Sequence, residues 1–498
     1  MIKAMNTEEL LKLIKQCEER IVSLFKNEEF RDAIVIAEQV LKINPDNLCA
    51  MQICGLCYFK LNKTKKAIEL FEKALEIEPD NSENLNNISL CHSTRKEYDK
   101  SIPYIQKAIE LNPKHIYYRE LGIQYANINE FDKAVENLNK AIELNANDHQ
   151  NWMTLGNIYG NQLDVDKAMF CFRKSLSIKE DPETRINLAY GYFLKKDWEN
   201  AWKEYESRLD YFVQIEYFNK IYPIEKRWKG ENLNNKRIVV YCEQGVGDFI
   251  NFVRFIDDLK EQGCTVLLHT PKDISDLMEL NDFGDIRKES FENNEYDYHC
   301  SLLSLPYYLK IKNFKKNKIY IQTDKKIDFE KYKNFYKIGI AWGGSPLHPN
   351  DRNRSCELSL FKEINDIPNV KLFGLQKDIR KRAYIDKPEE VVDLTANCEE
   401  MKIILMSEQM NSFSETAAIL NELDLIVTVD TSLLHLAGAM GKETWAIIPY
   451  VPDWRWGLNS IDNDWYKSVK LFRQTTPNDW TNVFKEIRVK IENILSNQ

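Results

Sequence analysis

The chain has 498 residues, 43% of them hydrophobic and 29% charged, with a formal net charge of −9. This length exceeds what one hydrophobic core supports, so we expect two to four globular domains, with no apolar run near the ~20 residues of a membrane span. The acidic balance argues against a nucleic-acid binder, and the charged N-terminus lacks a secretory signal pattern, which favours a cytoplasmic location.

A spacing of about 34 residues runs through the first 200 positions. Small residues recur at Ala33, Ala67, Ser101, Ala134, Ala168 and Ala201. From the second of these onward, another small residue lies twelve positions earlier, and an aromatic residue or histidine follows that one by three, as in Gly55 and Tyr58 or Gly156 and Tyr159. This period and pattern are those of the tetratricopeptide repeat, a stacked pair of helices.

The repeats define the first part of the domain organisation. We predict an opening helix over residues 1–27 and a repeat solenoid over 28–215. Its aromatic-rich end, Trp202–Leu209, is expected to cap the solenoid and dock on the next domain. The Cys54-x-x-Cys57 pair falls inside a repeat helix, which favours buried core side chains over a metal or redox site.

After residue 227 short β-branched runs alternate with helical segments, which predicts parallel α/β sheets. We place a first Rossmann-like half at 228–325, a basic linker over 310–337, and a second half at 336–478. Predicted strands cover 236–241, 265–269, 337–342, 370–375, 391–394, 425–429 and 444–448, and Tyr298 is also strand-like. An amphipathic helix at 479–498 is expected to cross back to the first half.

The first glycine-rich segment, Glu243–Asp248, follows a predicted strand and opens a predicted helix. Gly245 and Gly247 let the backbone approach a ligand, and a helix N-terminus favours negative charge. Asp248 fits two roles there. It is either a proton acceptor for an attacking hydroxyl or an N-cap that satisfies backbone N–H groups.

Two later strand ends carry polar and basic residues. The loop at 343–355 combines glycines with Arg352 and Arg354, which suit bidentate binding of a phosphate, although a solvated loop has the same composition. Gln376 and Lys377 follow the next strand, where their polar groups are placed to face a nucleotide.

A buried strand, Leu425–Val429, ends in Asp430 and precedes another predicted helix. Thr431 and Ser432 begin that helix, whose free N–H groups and hydroxyls form a cradle for a diphosphate. His435 lies one turn further on the same edge, so it can reach the same ligand. The alternative is a capped helix with a buried histidine.

The segment Pro452–Trp456 places an arginine between two tryptophans. These side chains either lock a loop by packing and cation–π contact or form the wall of a sugar or base site. His348 and Asp351 lack a third ligand, and no Asp-x-Asp pair follows a strand of the first half. We therefore predict no metal site.

Together these motifs resemble the heptosyltransferase-like glycosyltransferases of the GT-B fold, and the chain resembles bacterial proteins that fuse tetratricopeptide repeats to such a domain. The resemblance rests on Glu243-Gln244-Gly245-Val246-Gly247-Asp248, Asn350-Asp351-Arg352-x-Arg354-Ser355, Phe373-x-Leu375-Gln376-Lys377, Asp430-Thr431-x-x-x-His435 and Pro452-Asp453-Trp454-Arg455-Trp456. The implied fold class is α plus α/β: a tetratricopeptide α-solenoid followed by a GT-B pair of Rossmann-like α/β domains.

The resemblance implies an inverting, metal-independent transfer from a nucleotide sugar, which is a co-substrate rather than a cofactor. It implies that Asp248 is the catalytic base and that a basic side chain neutralises the leaving group. The implied donor-binding residues are Gly245, Gly247, Arg352, Arg354, Gln376, Lys377, Asp430, Thr431, Ser432 and His435. The short first half departs from the lipopolysaccharide enzymes, and Ser432 replaces a common glycine.

We expect a cytoplasmic glycosyltransferase whose repeats present a protein acceptor, such as a flagellin or another surface protein, because a solenoid suits extended chains. The expected partners are a nucleotide sugar and that protein, without nucleic acid or a membrane span. Two alternatives are the same chemistry on a lipopolysaccharide or other glycan acceptor, and a non-catalytic scaffold with a degenerate transferase domain. The chain after residue 200 is expected to keep nucleotide binding without the repeats.

Overall fold

The computed structural model describes residues 7–212, 214–345, 348, 350–377, 382–384, 387–392 and 398–497. The chain divides into two compact units, Met1–Glu180 and Asp181–Gln498. None of the helices in these described ranges combines the length and the apolar composition needed to cross a bilayer.

The first unit is built from helices that pack on their neighbours in sequence. They are α1 (Thr7–Lys26), α2 (Phe30–Ile43), α3 (Leu48–Lys60), α4 (Thr64–Ile77), α5 (Ser82–Thr94), α6 (Tyr98–Leu111), α7 (His115–Asn127), α8 (Phe131–Leu144), α9 (His149–Asn161) and α10 (Val165–Ile178). A residue in the left-handed conformation, with φ between 57° and 64°, stands in the turn inside each helix pair, at Glu28, Asn62, Lys96, Asn129 and Leu163. The chain thus makes the same turn each time, since a left-handed residue ends a helix sharply.

The small residues of the repeat pattern allow close helix approach. A Cβ on Gly55 would lie 2.7 Å from the Phe71 ring, and one on Gly156 would lie 2.5 Å from the Phe172 ring. Either methyl group would collide with the neighbouring ring, so these positions are restricted by packing.

The two cysteines of the Cys54-x-x-Cys57 pair are core residues. Cys54 and Cys57 are fully buried, and all eleven cysteines of the sequence, each within the described ranges, are free. Burial raises the pKa of the Cys54 thiol to about 12 and that of Cys57 to about 11. Thiols held protonated in this way are poor nucleophiles and poor metal ligands.

The second unit contains two parallel sheets. Its helices are α11 (Pro182–Leu194), α12 (Trp198–Tyr205), α13 (Gln214–Ile221), α14 (Val246–Phe252), α15 (Ile256–Lys260), α16 (Ser275–Glu279), α17 (Leu305–Tyr308), α18 (Asp351–Arg354), α19 (Lys362–Asn365), α20 (Phe413–Glu422), α21 (Ser432–Ala439) and α22 (Thr481–Ser496). Its strands are β1 (Arg237–Tyr241), β2 (Thr265–His269), β3 (Asp285–Arg287), β4 (Tyr298–Ser301), β5 (Tyr336–Ala341), β6 (Val370–Gly374), β7 (Arg382–Tyr384), β8 (Lys387–Val392), β9 (Ile404–Leu405), β10 (Leu425–Val429), β11 (Thr444–Ile448) and β12 (Val469–Arg473).

The first sheet has the strand order β3-β2-β1-β4 and the second the order β12-β11-β10-β5-β6-β9, with all pairs within each sheet parallel. The central strands β1 and β10 are almost wholly buried. The sequences of such strands are continuous apolar runs because helices cover both faces of a parallel sheet.

One predicted strand does not belong to either of the large parallel sheets. The run predicted at 391–394 lies partly in β8, which pairs antiparallel with β7 outside both large sheets; residues 393 and 394 lie outside the described ranges. The sequence pattern also missed β3, β7, β9 and β12, because the first three are very short and Lys470 interrupts the apolar run of β12.

The basic segment predicted as a linker also places several apolar side chains in the core. The Tyr320 backbone N–H donates to the Ala439 carbonyl at 3.1 Å, and its hydroxyl donates to the Ile250 carbonyl at 3.0 Å. The Phe314 ring stacks on Trp465 with 4.3 Å between centroids. This segment therefore joins the two halves by packing against both.

The C-terminal helix does not cross to the first half. Instead α22 buries Ile487 and Ile491 in the core of the second sheet, and its Phe484 ring meets Phe361 edge to face at 4.8 Å. The expectation of a crossing was wrong because the apolar stripe of α22 has its complement on the same half.

The last helix pair of the repeat pattern falls in the second unit, whereas the predicted solenoid extends to residue 215. Phe193 of α11 stacks on Trp454 at 4.0 Å and meets Trp202 of α12 edge to face at 4.5 Å. The same apolar core includes Phe249 and Phe252 of α14. Helices α11 and α12 are therefore built into the α/β unit.

Candidate functional site

Two helix N-termini meet where the carboxyl ends of the sheets face each other. Gly247, in the first turn of α14, lies against the start of α21: a Cβ there would be 3.2 Å from His435 Cδ2 and 3.4 Å from Ser432 Cα. This contact brings the first glycine-rich segment and the segment after β10 to one place. Carboxyl ends of parallel strands are where α/β folds bind ligands.

Asp248 lies at this junction and forms an ion pair with Arg455 from the second half. The guanidinium of Arg455 also donates to Asp453 at 3.0 Å and stacks over the Trp454 ring at 4.3 Å. The Asp248 side chain is 23% exposed and that of Arg455 only 7% exposed. The carboxylate thus has one side held by a buried cation and one side open.

Burial raises the pKa of the Asp248 carboxyl above its ordinary value, while Arg455 opposes the shift and Asp453 and Glu243 add to it. A raised carboxyl pKa makes the ionised form a stronger base than a solvated aspartate. The arrangement can accept a proton from a group on the open side.

Asp430 holds the neighbouring loop in place. Its carboxylate accepts a hydrogen bond from the Trp456 indole at 2.8 Å, and its backbone carbonyl accepts one from the Arg354 guanidinium at 2.9 Å. A Cβ on Gly344 would lie 2.3 Å from Arg354 Nη2, so the glycine makes room for that side chain. Arg354 is thereby fixed beside the start of α21.

The pKa of Asp430 is raised to about 6, first by burial and then by the charge of Asp453, with the Trp456 hydrogen bond and Arg354 opposing. The fold therefore binds the proton of Asp430 more tightly than the unfolded chain does. The contribution of Asp430 to the free energy of unfolding is therefore largest at low pH, and it is lost as the pH rises from about 4 to about 6.

Replacing Asp430 with Asn should remove this dependence, because the amide oxygen still accepts the indole bond but carries no charge. The difference between the free energies of unfolding, variant minus wild type, should increase by on the order of 2 kcal/mol from pH 4.5 to pH 7.5. Denaturant unfolding at both pH values measures the difference. A difference that stays constant would show that Asp430 ionises normally in the fold.

His435 is a buried neutral side chain. Its Nδ1 lies 3.0 Å from the Tyr466 hydroxyl, its ring stacks on Trp456 at 5.6 Å, and burial together with Arg455 lowers its pKa well below the ordinary value. Of the two interpretations of this histidine, the geometry favours the buried one. It can offer a ligand a neutral N–H, not a positive charge.

The N-terminus of α21 carries the features of an anion site. No side chain in the described ranges caps it, and the hydroxyl of its N-cap residue Thr431 is buried without a hydrogen-bond partner. Ser432 is half-buried at the first position. Unpaired N–H groups at such a terminus favour negative charge.

The other predicted donor-binding residues divide into two groups. The Gln376 amide is engaged with the Gly343 backbone, accepting at 3.2 Å and donating at 3.0 Å, so it shapes the loop. Arg352 and Lys377 are exposed, and residues 378–381 lie outside the described ranges. The structure places Arg354 beside the start of α21, bonds Gln376 to the loop after β5, and leaves Arg352 and Lys377 exposed.

Two cavities of the second unit lie elsewhere. One, about 650 Å³, is lined by residues 312–318 with Trp198 and Asp464, and the other, about 580 Å³, by residues of α12, by Lys229 and Gly230, and by residues between 306 and 312. Neither contains a predicted site residue. No group of three or more His, Cys, Asp or Glu side chains that could hold a metal ion occurs in the described ranges.

The role of Arg455 was not predicted. The Trp-Arg-Trp segment fitted either loop packing or a ligand wall, whereas in the structure Arg455 reaches the predicted base, 207 positions away. Tyr466 was also missed, although its hydroxyl accepts a hydrogen bond from Asn251 of α14 at 2.8 Å and contacts His435. The signal for Arg455 was a cation between two tryptophans.

An all-helical repeat unit followed by parallel sheets with helices defines a repeat protein with an α/β unit. Comparison with known families agrees. Descriptions of the tetratricopeptide repeat match residues 24–83 and residues 82–115, 118–148 and 149–182. That of glycosyltransferase family 9 (heptosyltransferase) matches residues 362–463. The chain therefore carries tetratricopeptide repeats in its N-terminal region and a glycosyltransferase family 9 domain in its C-terminal region.

Among curated proteins, Protein FlbA of Caulobacter vibrioides is 22% identical over 353 residues, which are 64% of this chain and 56% of FlbA. The chain thus spans little more than half the length of that relative.

Several solved structures resemble part of the chain. MamA is 25% identical, with a TM-score of 0.29 over 32% of this chain and 92% of MamA. A thermophilic TPR protein of Thermus thermophilus is 19% identical, with a TM-score of 0.32 over 36% and 98%. PilW, a type IV pilus biogenesis factor, is 21% identical, with a TM-score of 0.38 over 43% and 99%.

Proposed function

We propose that the C-terminal region is a GT-B glycosyltransferase that moves a sugar from a nucleotide-sugar donor to a protein acceptor presented by the repeats. The observation that carries the proposal is the contact between Gly247 and Ser432, which sets the Asp248 carboxylate beside the uncapped N-terminus of α21. A proton acceptor and an anion site are the two parts that such a transfer needs.

In the proposed reaction an acceptor hydroxyl oxygen attacks the anomeric carbon of the donor. Asp248 takes the hydroxyl proton while the bond between the anomeric carbon and the diphosphate oxygen breaks. The diphosphate leaves toward the N–H groups of α21 and the guanidinium of Arg354, which balance its charge. Attack opposite the leaving group inverts the anomeric centre.

Arg455 has a positioning role in this scheme. Its ion pair with Asp248 holds the carboxylate in one place, and its buried charge opposes the rise in the Asp248 pKa that burial causes. Asp453 and Trp454 hold Arg455 in turn. The open side of Asp248 is left for the acceptor.

The proposal of a protein acceptor is based on the repeats. Tetratricopeptide units commonly bind polypeptide segments along their stacked helices, so a polypeptide is the acceptor that this architecture suits best. The alternatives, a lipopolysaccharide or other glycan acceptor and a scaffold with an inactive domain, make different predictions below.

The test is to incubate the full chain with a panel of nucleotide sugars and to measure released nucleotide diphosphate, with and without excess EDTA. We expect release with at least one donor, and we expect it to persist under chelation because arginine and backbone N–H groups supply the positive charge. Absence of both release and nucleotide-diphosphate binding would establish the scaffold alternative. Loss on chelation, restored by Mg²⁺ or Mn²⁺, would overturn the metal-independent mechanism.

Replacing Arg354 with Ala should weaken nucleotide-diphosphate binding by about 10- to 100-fold, the loss of one charge-assisted contact of ~1.5–3 kcal/mol. Arg352→Ala should have a smaller effect, because that side chain is exposed at the surface. Lys371→Ala, on β6 of the second sheet and bonded to the Lys402 carbonyl, is the matched control for loss of a cation. Calorimetric titration measures all three. Equal affinities for Arg354→Ala and the control would remove Arg354 from the donor site.

A further inference from the structure

The last repeat helix is hydrogen-bonded to the glycine-rich segment that carries Asp248. The Tyr205 hydroxyl, at the end of α12, accepts a hydrogen bond from the Gln244 amide at 2.9 Å. One turn later, the Arg208 guanidinium donates to the Glu243 carboxylate at 2.8 Å. Glu243 and Gln244 immediately precede Gly245, so both bonds act on the segment between β1 and α14.

Arg208 is fully buried, and all three nitrogens of its guanidinium donate hydrogen bonds. Besides Glu243 it donates to Glu206 at 2.5 Å, to Ser304 at 2.6 Å and to the Tyr205 carbonyl at 3.2 Å. A buried charge is tolerated only when it is paired and hydrogen-bonded. This set of partners fixes Arg208 in one orientation.

Glu243 depends on Arg208 in the same way. Its carboxylate is buried, with one oxygen bonded to Arg208 and the other accepting a hydrogen bond from the Ser301 hydroxyl at the end of β4. Without the guanidinium this carboxylate would be an uncompensated buried charge, and the segment would have to shift to expose it to water. Asp248 lies only five residues further along the same segment.

We propose that Arg208 is a positioning residue for the transfer reaction. Together with Tyr205 it holds the glycine-rich segment so that Asp248 meets the acceptor hydroxyl, and the final repeat helix pair is thereby a structural part of the active site. The catalytic consequence rests on the proposed function, whereas the positioning of the segment does not.

The experiment compares Arg208→Lys and Tyr205→Phe with a matched control, Arg185→Gln. Arg185 pairs with Glu204 at 2.5 Å, so this ion pair lies within the same helix pair and does not involve the glycine-rich segment. Three quantities are measured on the full chain: hydrogen exchange of the backbone over residues 242–252, turnover, and nucleotide-diphosphate affinity.

Arg208→Lys should speed exchange over 242–252 and lower turnover about 100-fold, the effect of displacing a catalytic group by ~1 Å. Nucleotide-diphosphate affinity should stay unchanged, because Arg354 and α21 belong to the other half. Tyr205→Phe keeps the ring and loses one neutral hydrogen bond, so it should lower turnover by up to about tenfold in the same pattern. The control should match the wild type in all three quantities.

Exchange and turnover that match the control in both variants would overturn the proposal. Equal loss of turnover and nucleotide affinity would also overturn it, since that pattern indicates general destabilisation. If Arg208→Lys does not fold, the result for Tyr205→Phe decides. If the wild type shows no turnover with any donor, the proposed function fails, and the exchange measurement alone decides whether Arg208 positions the segment.

Discussion

Asp248→Asn should lower sugar transfer by about 10²- to 10⁴-fold, the usual contribution of a positioned proton acceptor. The amide has the size of the carboxylate and still accepts a hydrogen bond from Arg455, but it cannot take the hydroxyl proton. Binding of nucleotide diphosphate should change little, because the anion site lies on α21. Turnover and calorimetric affinity, measured on the same preparation, separate the two effects.

Asp453→Asn is the matched control for that substitution. Asp453 is the other carboxylate bonded to Arg455, at 3.0 Å, but it lies on the loop before Trp454 and not on the glycine-rich segment. We expect its turnover to fall by less than tenfold, the effect of about one hydrogen bond. Turnover of Asp248→Asn equal to that of the control would take Asp248 out of the mechanism.

The pH profile offers an independent check on the same residue. Because burial raises the pKa of Asp248, the acid limb of the turnover profile should lie above the ~3.9 of a solvated aspartate, and activity should fall as pH drops through the raised value. The Asn variant should lack this limb.

The repeats and most strands could be predicted because their signals are local. A 34-residue period specifies helix pairs, and Gly55 or Gly156 must be small wherever two helices approach closely. β-branched runs such as Leu425–Val429 specify buried strands in the same way. These features depend on residues near one another in sequence.

The site could be predicted only as separate motifs. The pairing of Asp248 with Arg455 depends on how two sheets face each other, and no spacing in the sequence encodes it. The same limit applies to His435. Its position in the motif predicts a residue that contacts the donor, but its ring lies between Tyr466 and Trp456. Its role depends on burial, which side chains distant in sequence determine.

The boundary of the repeat region shows a different limit. Residues 182–205 carry the repeat pattern as well as any earlier stretch, so the period assigns them to the solenoid. Their aromatic side chains, among them Phe193 and Trp202, nevertheless pack in the core of the α/β unit. Periodicity predicts the helices, while side-chain volume decides what they pack against.

This difference changes the expected result of truncation. Deleting residues 1–180 should leave a folded unit that binds nucleotide diphosphate, because the compact unit begins at Asp181. Deleting residues 1–200 should not, because it removes Phe193, which contacts Trp454, Trp202 and Tyr205. Loss of one large core aromatic residue costs about 3–5 kcal/mol, and this deletion also removes the rest of α11.

Thermal unfolding and nucleotide-diphosphate titration of the two truncations, with full-length Phe193→Ala as the control, test this directly. We expect cooperative unfolding and near wild-type affinity for the shorter deletion, aggregation or loss of affinity for the longer one, and a lowered midpoint for Phe193→Ala. Equal behaviour of both truncations would mean that α11 is not part of the α/β unit.

The shorter deletion also tests the acceptor. If residues 1–180 present a polypeptide, the truncated enzyme should hydrolyse its donor at the full-length rate but modify a protein acceptor much more slowly, since it loses the surface that orients the chain. Donor hydrolysis serves as the internal control, because it needs only the site on the second unit. Protein modification at the full-length rate would show that the repeats are not the acceptor platform, and the glycan acceptor would become the better account.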